Sequence, residues 1–268
     1  MNAARPVALV TGASAGLGAA FARAYAARGH DLVLTARRVE RLDALASELA
    51  ARHAVNSHVM PADLSVPGAA GALFDAVAAR GIGVDVLVNN AGYGVPGSYL
   101  GRPWAVHAAF QQVMIESVAE LCWRVVPGMR ARGGGRIVNV ASLAGHMPGS
   151  AGHTLYGPAK AWMIRFSECL HAELAPEGIV VCALCPGFTY TEFHDVNGMR
   201  PQVSRLPRVL WMTAEEVVTE GLAAVDRGEA VHIVGRLNRL IAAAARYLPR
   251  RLVRAAVATR ERDFRQID

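Results

Sequence analysis

Lysine is almost absent from this chain, and aromatic residues and low-complexity tracts are also scarce. Of the 28 basic residues only Lys160 is a lysine, and the rest are arginine. Aromatic residues make up 6% and charged residues 19% of the 268 positions, whereas 53% are hydrophobic. This composition excludes a disordered chain, and the length suits one compact α/β protein with a sizeable core.

Long apolar runs and a disulfide framework are missing as well. The first apolar run, Val7–Val10, is far too short for a signal-peptide core or a membrane span, so we expect a cytoplasmic protein with reduced thiols. Cys182 and Cys185 lie in a run typical of a strand. Alternation along a strand places their sulfurs on opposite faces, which argues against a redox or metal pair.

Positive charge is concentrated at the C-terminal end. Residues 236–268 contain nine arginines and three acidic residues, whereas residues 1–235 are neutral overall, so the composition gives no reason to expect nucleic-acid binding. Apolar residues recur at helical spacing from Leu237 to Leu248, and Pro249 is expected to end that helix. A basic amphipathic helix indicates peripheral membrane contact through 236–262, or packing on the core or on a partner subunit.

Apolar runs alternate with stretches of helical period along residues 1–235. Strands are expected at Val7–Thr11, Asp31–Ala36, Ser57–Met60, Val84–Val88, Arg136–Ala141, Ile179–Leu184 and Ala230–Val234. Helices are expected at about 17–28, 38–52, 68–80, 105–131, 155–174 and 214–227. This alternation predicts a doubly wound α/β fold with a parallel sheet and a ligand crevice at the carboxyl ends of its strands. We expect one domain over 1–235 and a helical tail over 236–268.

A glycine-rich turn joins the first strand to the first helix. Gly12, Gly16 and Gly18 lack the Cβ atoms that would keep a phosphate from the backbone, and a helix start offers free N–H groups. This placement favours a pyrophosphate site. The alternative is a tight turn that only packs the helix on the strand.

The second strand ends in two arginines, Arg37 and Arg38, with no acidic residue beside them. An acidic residue would bind the free ribose hydroxyl of NAD, whereas arginine pairs with the 2′-phosphate of NADP. The pattern therefore favours NADP(H) over NAD(H). The alternative is a solvated arginine pair, which can hold for Arg38 even if Arg37 binds.

Tyr156 and the only lysine, Lys160, are four residues apart and share one face of the helix that contains them. A nearby ammonium favours a phenolate, so we expect Lys160 to lower the pKa of Tyr156 from about 10. Ser142 ends the fifth strand, where its hydroxyl can hydrogen-bond a substrate carbonyl, although serines at strand ends are more often caps. The three residues indicate acid–base chemistry on an oxygen.

Five motifs occur in order and together resemble the short-chain dehydrogenase/reductase family. They are Thr11-x3-Gly16-x-Gly18, Asn89-Asn90-Ala91-Gly92, Ser142, Tyr156-x3-Lys160 and Pro186–Thr191. The resemblance covers about residues 5–235 and is to the compact branch, including bacterial members similar to hydroxysteroid dehydrogenases. It implies a Rossmann fold with seven strands in the order 3-2-1-4-5-6-7, and a ketoreductase or alcohol dehydrogenase that uses NADP(H). It also implies a homodimer or homotetramer formed through the long helices at 105–131 and 155–174.

The resemblance implies specific roles for residues that match the motifs. Tyr156 would exchange a proton with the substrate oxygen, Ser142 would orient that oxygen, and Lys160 would hold the nicotinamide ribose. The implied cofactor-binding residues are Gly12, Ser14, Gly16, Leu17, Gly18, Arg37, Asp63, Leu64, Asn90, Ala91, Gly92, Pro186, Gly187, Thr189 and Thr191, with Tyr156 and Lys160. No spacing of His, Cys, Asp or Glu indicates a metal site.

One residue of the family pattern is missing. Relatives carry an asparagine in the helix before the fifth strand, where it helps hold a water behind the lysine, and this chain has Met114 there. Methionine is at best a weak acceptor. Either backbone groups or Ser117 hold that water, or the protein binds NADP(H) with little turnover.

The stretch at about 188–213 is expected to cover the crevice as a lid. It and the other rims supply many apolar residues, namely Tyr93, Leu143, Met147, Leu155, Tyr190, Phe193, Val196, Met199, Leu206, Val209, Leu210, Trp211 and Met212. They favour a bulky apolar substrate, such as a steroid-like, terpenoid or long-acyl carbonyl. The alternative is that they only pack the lid on the core.

Overall fold

The computed structural model describes residues 5–149, 151–152, 154–193, 204, 206–249, 251 and 253. The strands in these ranges are β1 Val7–Thr11, β2 Asp31–Thr35, β3 Ser57–Val59, β4 Val86–Asn89, β5 Gly135–Val140, β6 Ile179–Cys185, β7 Phe188–Tyr190, β8 Trp211–Thr213 and β9 Val231–Ile233. The α-helices are α1 Gly16–Ala27, α2 Val39–His53, α3 Ala69–Ala78, α4 Trp104–Gln111, α5 Ser117–Ala131, α6 Tyr156–Leu174, α7 Ala214–Asp226 and α8 Arg236–Tyr247. Most ends fall within two residues of those expected.

Seven strands form one parallel sheet in the order β3-β2-β1-β4-β5-β6-β9. This confirms the doubly wound seven-stranded fold. The last position belongs to β9 because β7 and β8 pair only with each other, as a separate parallel ribbon. The segment 188–213, expected only as a lid, therefore begins and ends in strands; its residues 194–203 and 205 lie outside the described part of the chain.

The sheet is buried on both faces. Ala8 and Val10 of β1 point to the side packed against α1, α2 and α7, whereas Leu9 points to the side packed against α3, α5 and α6. Cys182 and Cys185 of β6 likewise belong to opposite sides. The expectation that their sulfurs diverge is thus confirmed.

The helix expected at 105–131 is interrupted, and the helix of the C-terminal tail ends before a proline. The long helix expected at 105–131 consists of α4 and α5 joined through a π-helical turn over Gln112–Glu116. Such turns are rare and often lie near functional sites. The tail helix α8 ends at Tyr247, two residues before Pro249, as proline geometry requires. None of the described helices is long and apolar enough to cross a bilayer.

Candidate active site

A cleft of about 1010 Å³ opens at the carboxyl ends of β1, β2, β4, β5 and β6. Typical small-molecule sites enclose about 300–1,000 Å³, so this cleft has room for a dinucleotide together with a second ligand. Residues assigned to the site from sequence line it, with one exception. They are Gly12, Ser14, Gly16, Leu17, Arg37, Asp63, Leu64, Asn90, Ala91, Gly92, Ser142, Tyr156, Lys160, Pro186, Gly187, Thr189 and Thr191.

Gly18 is the exception, because it is buried beneath the turn and does not line the cleft. A Cβ atom at Gly18 would lie 2.2 Å from the carbonyl oxygen of Gly12, and one at Gly12 would lie 2.9 Å from Cα of Ala91. These two glycines are thus required by close packing of the chain on itself. At Gly18 the structure shows the close packing of the alternative interpretation, and its assignment to the cofactor site stays a prediction.

The turn itself is held by backbone and amide hydrogen bonds. Gly12 and Gly16 have φ of 66° and 53°, in the left-handed region that favours glycine. The Asn90 side chain donates to the carbonyls of Thr11 and Gly12, and Ala13 N–H donates to the carbonyl of Thr35. Asn90 therefore fixes the shape of the turn through its side chain, in addition to lining the cleft.

The start of α1 suits an anionic group. Its N-terminal end has no side-chain cap and no acidic residue in the first turn, so its first N–H groups remain available. Gly16 and Leu17, at this end of the helix, line the cleft. A pyrophosphate of a bound dinucleotide therefore fits here, stabilised by N–H groups and by the helix dipole.

The two arginines after β2 have different surroundings. Arg37 is exposed, lines the cleft and forms no ion pair within the described part of the chain. Arg38 donates to Ser14 Oγ at 3.1 and 3.2 Å and to a carboxylate oxygen of Glu192 at 2.9 Å. Arg38 is thus solvent-exposed, as the alternative interpretation expects, and it also links the glycine turn to Glu192, two residues after β7.

Glu192 is a cleft residue that sequence reasoning missed. It accepts hydrogen bonds from Arg38 and, at 2.6 Å, from Arg41 in α2, and these two guanidinium groups lower the pKa of its carboxyl. The partners are about 150 positions apart in sequence. No local signal identifies such a contact, since nothing near Glu192 in sequence predicts which helix it meets.

Ser142 and Tyr156 meet where the turn after β5 packs against α6. Tyr156 is the first residue of α6, and it forms a hydrogen bond with Ser142. The Ser142 hydroxyl also accepts from Ala144 N–H at 3.1 Å. A Cβ atom at Gly145 would lie 2.8 Å from the backbone of Lys160, so glycine there lets the turn rest directly on α6. The turn that follows Ser142 thus packs closely on the helix that begins with Tyr156.

Lys160 lines the cleft at its base. Its side chain is buried, and Nζ donates to the carbonyl oxygen of Val140 at 2.6 Å. The same Nζ lies 5.8 Å from the centroid of the Tyr156 ring. The helical spacing of these two residues therefore does bring the ammonium beside the phenol.

The electrostatics differ from the sequence expectation. Burial raises the pKa of Tyr156 to about 12, and the hydrogen bond with Ser142 opposes that rise only in part. Burial lowers the pKa of Lys160 to about 8, with Cys185 acting in the opposite direction. The expectation that Lys160 brings the pKa of Tyr156 below its usual value is wrong for this structure, because desolvation of the phenol is the larger effect. Tyr156 is thus a neutral acid at neutral pH.

Met114 lies in the π-helical turn and is fully buried among Phe110, Ala159 and their neighbours. A Cβ atom at Gly92 would lie 2.8 Å from the Met114 sulfur, so methionine packs directly under the turn after β4. Ser117 donates its hydroxyl to the carbonyl of Leu64. The one hydroxyl proton of Ser117 is thus used in this bond, and only its lone pairs are left to accept a further hydrogen bond.

The far side of the cleft is apolar, although only some of the expected residues line it. Tyr93, Leu143, Met147, Phe193 and Leu210 do so, and the structure adds Phe188 and Ile241. The Phe193 ring lies 5.8 Å from that of Tyr156. The expectation is wrong for Leu155, Tyr190, Leu206, Val209, Trp211 and Met212, which lie outside the cleft. Val196 and Met199 are not among the described residues.

Two further polar residues of the site form hydrogen bonds with groups two positions away in the sequence. Thr189 is buried and donates its hydroxyl to the carbonyl of Gly187. Asp63 accepts from the hydroxyl and the N–H of Ser65, which lower the pKa of its carboxyl. Over the described ranges, no group of His, Cys, Asp and Glu side chains is arranged to hold a metal ion.

The fold and the cleft define a Rossmann-type α/β protein with a dinucleotide-sized site at the strand ends. A sequence model described as short chain dehydrogenase matches residues 6–200, and the chain belongs to this family of oxidoreductases. It is 35% identical over 232 residues to nodulation protein G of Rhizobium sp. (strain N33), covering 85% of this chain and 92% of that one.

Two solved structures give the same result for the three-dimensional fold. A short-chain dehydrogenase from Sphingobium yanoikuyae in complex with NADPH has a TM-score of 0.78 and 36% identity, covering 85% of this chain and 87% of that one. The bulky-bulky ketone specific alcohol dehydrogenase from Comamonas testosteroni has a TM-score of 0.75 and 32% identity, covering 91% and 99%. Both proteins belong to the enzyme class that the motifs indicate.

Proposed function

We propose that this protein is an NADP(H)-dependent oxidoreductase that interconverts a carbonyl and an alcohol, with Ser142, Tyr156 and Lys160 as its catalytic residues. One observation carries the proposal. The hydrogen-bonded hydroxyls of Tyr156 and Ser142 lie beside the buried Lys160 in the same cleft as an uncapped helix start. Proton transfer and anion binding are thereby combined in one site.

The cleft suits a phosphorylated dinucleotide at its arginine end. The pyrophosphate would lie at Gly16 and Leu17, and Arg37 would contact the 2′-phosphate, since it faces the cleft without an ion-pair partner among the described residues. The NADPH complex of the Sphingobium relative supports this choice of cofactor. When bound, NADP(H) supplies or accepts the hydride at the substrate carbon.

The side chains at the other end of the cleft hold and transfer the proton. With a pKa of about 12, Tyr156 holds its proton at neutral pH and can donate it to a carbonyl oxygen during reduction. Ser142 orients that oxygen, and the Lys160 ammonium stabilises negative charge that develops on the phenol. The neutral state of Tyr156 favours carbonyl reduction near neutral pH over alcohol oxidation, which needs the phenolate.

The substrate is expected to be bulky and apolar, such as a steroid-like, terpenoid or long-acyl carbonyl. Aromatic and aliphatic side chains form the side of the cleft facing Tyr156, among them Phe193, Leu143 and Met147. The similarity to an alcohol dehydrogenase described as specific for bulky-bulky ketones supports the same assignment.

A homodimer or homotetramer is part of the proposal. Trp123 on α5 is an exposed large apolar residue, and α5 is one of the helices expected at the contact. Light scattering tests the assembly: a mass of two or four chains is expected, and a single-chain mass contradicts it.

The decisive experiment follows NADPH and NADH oxidation with a panel of apolar ketones and aldehydes. Reduction is expected with NADPH, and Tyr156→Phe is expected to slow it about 10²–10⁴-fold because the proton donor is removed. Tyr99→Phe is the matched control, since Tyr99 lies outside this cleft and its variant should keep full activity.

A second candidate function is NADP(H) binding with little catalysis, in a binding or regulatory role. The fully buried Met114 favours it, because the usual amide is absent behind Lys160. Tight NADPH binding with no turnover that depends on Tyr156 would select this alternative and reject the enzyme.

A further inference from the structure

The helix α8 has an inner face that forms part of the cleft wall. Asn238 is buried, donates to the carbonyl of Val234 at 2.7 Å and occupies the space where a Cβ atom of Gly187 would lie. Ile241 lines the cleft beside it. The first turns of α8 are therefore fixed directly against the site.

The outer face of α8 is apolar, the reverse of what a surface helix normally presents to solvent. Leu237, Leu240, Ala244 and Tyr247 follow the spacing that puts residues on one side of a helix. All four are exposed, with 67% of Leu240 and 77% of Tyr247 accessible. Leu248 extends this exposed stripe at the end of the helix.

Arginines border the stripe, in a stretch of sequence that contains no acidic residue. Between positions 230 and 260 the sequence contains seven arginines and no aspartate or glutamate. Arg239 is paired with Glu220 of α7 at 2.6 Å. Arg236 and Arg246 have no ion pair within the described residues, and the Arg246 guanidinium lies 5.6 Å from the centre of the Tyr247 ring. The helix thus combines exposed apolar side chains with free positive charge.

This combination fits an anionic lipid surface better than a second copy of the chain. A symmetric dimer brings the same patch of both subunits together, which here would place arginines against arginines. An anionic bilayer instead attracts the arginines, while its interfacial region accepts leucine and tyrosine side chains. We propose that the outer face of α8 docks peripherally on anionic membranes, which places the cleft wall next to the lipid.

Vesicle flotation of the full chain tests the proposal without any turnover, so its outcome is independent of the proposed reaction. The protein is expected to float with phosphatidylcholine vesicles that contain phosphatidylglycerol. It should stay behind with phosphatidylcholine alone or at high salt, which screens the arginines.

Two variants with a matched control sharpen the test. Leu240→Glu is expected to lower binding about 10-fold or more, and Arg246→Gln about fivefold, because each removes one component of the contact. Leu100→Glu makes the same change at a residue that is 88% exposed and lies outside α8, and it should bind as the unchanged protein does. Circular dichroism and thermal melting check that the variants are folded.

Three results would overturn the proposal. The first is failure of the unchanged protein to float with anionic vesicles. The second is an equal loss of binding in Leu240→Glu and Leu100→Glu. The third is dissociation of an oligomer by Leu240→Glu with flotation unaltered, which would assign this face of α8 to a second copy of the chain.

Discussion

The two walls of the cleft are built in different ways. The wall that suits the cofactor consists of the turns after β1, β2 and β4, and short backbone contacts such as Gly18 on Gly12 determine its shape. The opposite wall combines Leu143 and Met147 with residues from Phe188 onward, among them those of α8, which is positioned by long-range contacts such as Asn238 on Gly187. Local steric requirements therefore define one wall, whereas the packing of distant segments defines the other.

The largest expected effect is a loss of stability caused by a substitution in the wall that suits the cofactor. Gly18→Ala places a Cβ atom 2.2 Å from a backbone oxygen that cannot move without distorting the turn. We expect a loss of about 1–3 kcal/mol or more in the free energy of unfolding, measured by chemical denaturation. Gly149→Ala is the control, because a Cβ atom there meets nothing within 4 Å. Equal stability of the two variants would contradict this account of the turn.

The next effect concerns the arginine end of the same wall. Arg37→Ala is expected to weaken NADPH binding about 10–100-fold, as the loss of charged hydrogen bonds predicts, and to leave NADH binding unchanged. Fluorescence titration with both cofactors measures this. Arg165→Ala, at an exposed arginine on α6 that pairs with Glu168, is the control. A parallel loss of NADPH and NADH binding would show that Arg37 acts on the fold and not on the phosphate.

The smallest expected effect is on NADPH affinity and concerns Glu192, which connects the two walls. Glu192 from the second wall holds Arg38 and Arg41 near the first, so its carboxylate competes with a phosphate for the same donors. Because both pairs are exposed, Glu192→Gln is expected to tighten NADPH binding only about two- to fivefold. Glu168→Gln provides the matched change away from the cleft. Weaker NADPH binding in Glu192→Gln would mean that this carboxylate positions the arginines for the phosphate.

The sequence predicted the fold well because each sheet strand is a short apolar run followed by a helix with local punctuation. It also predicted that most site residues lie together, because the carboxyl ends of parallel strands share one edge, and these residues do line one cleft. The cofactor assignment agrees with a relative solved with NADPH. The domain limits and the individual roles of the site residues stay predictions.

Other features depend on the packed structure and have no local signal. Glu192 reaches its arginines across about 150 positions, and the close contact of Gly18 with the Gly12 carbonyl exists only in the folded turn. The pKa of Tyr156 is the clearest case. Spacing alone predicts that Lys160 is near, but the extent of burial, which raises this pKa to about 12, follows from the whole fold.

The central claim is that a neutral Tyr156 above a charged Lys160 is the acid of the cleft. The pH dependence of kcat/KM for ketone reduction by NADPH tests it most directly, with NADPH binding followed over the same range. Lys160, with a pKa of about 8, is charged below that pH and loses its proton above it, while Tyr156 keeps its own up to about pH 12. We expect kcat/KM to fall as the pH rises through about 8. A kcat/KM that instead rises through this range would contradict the account.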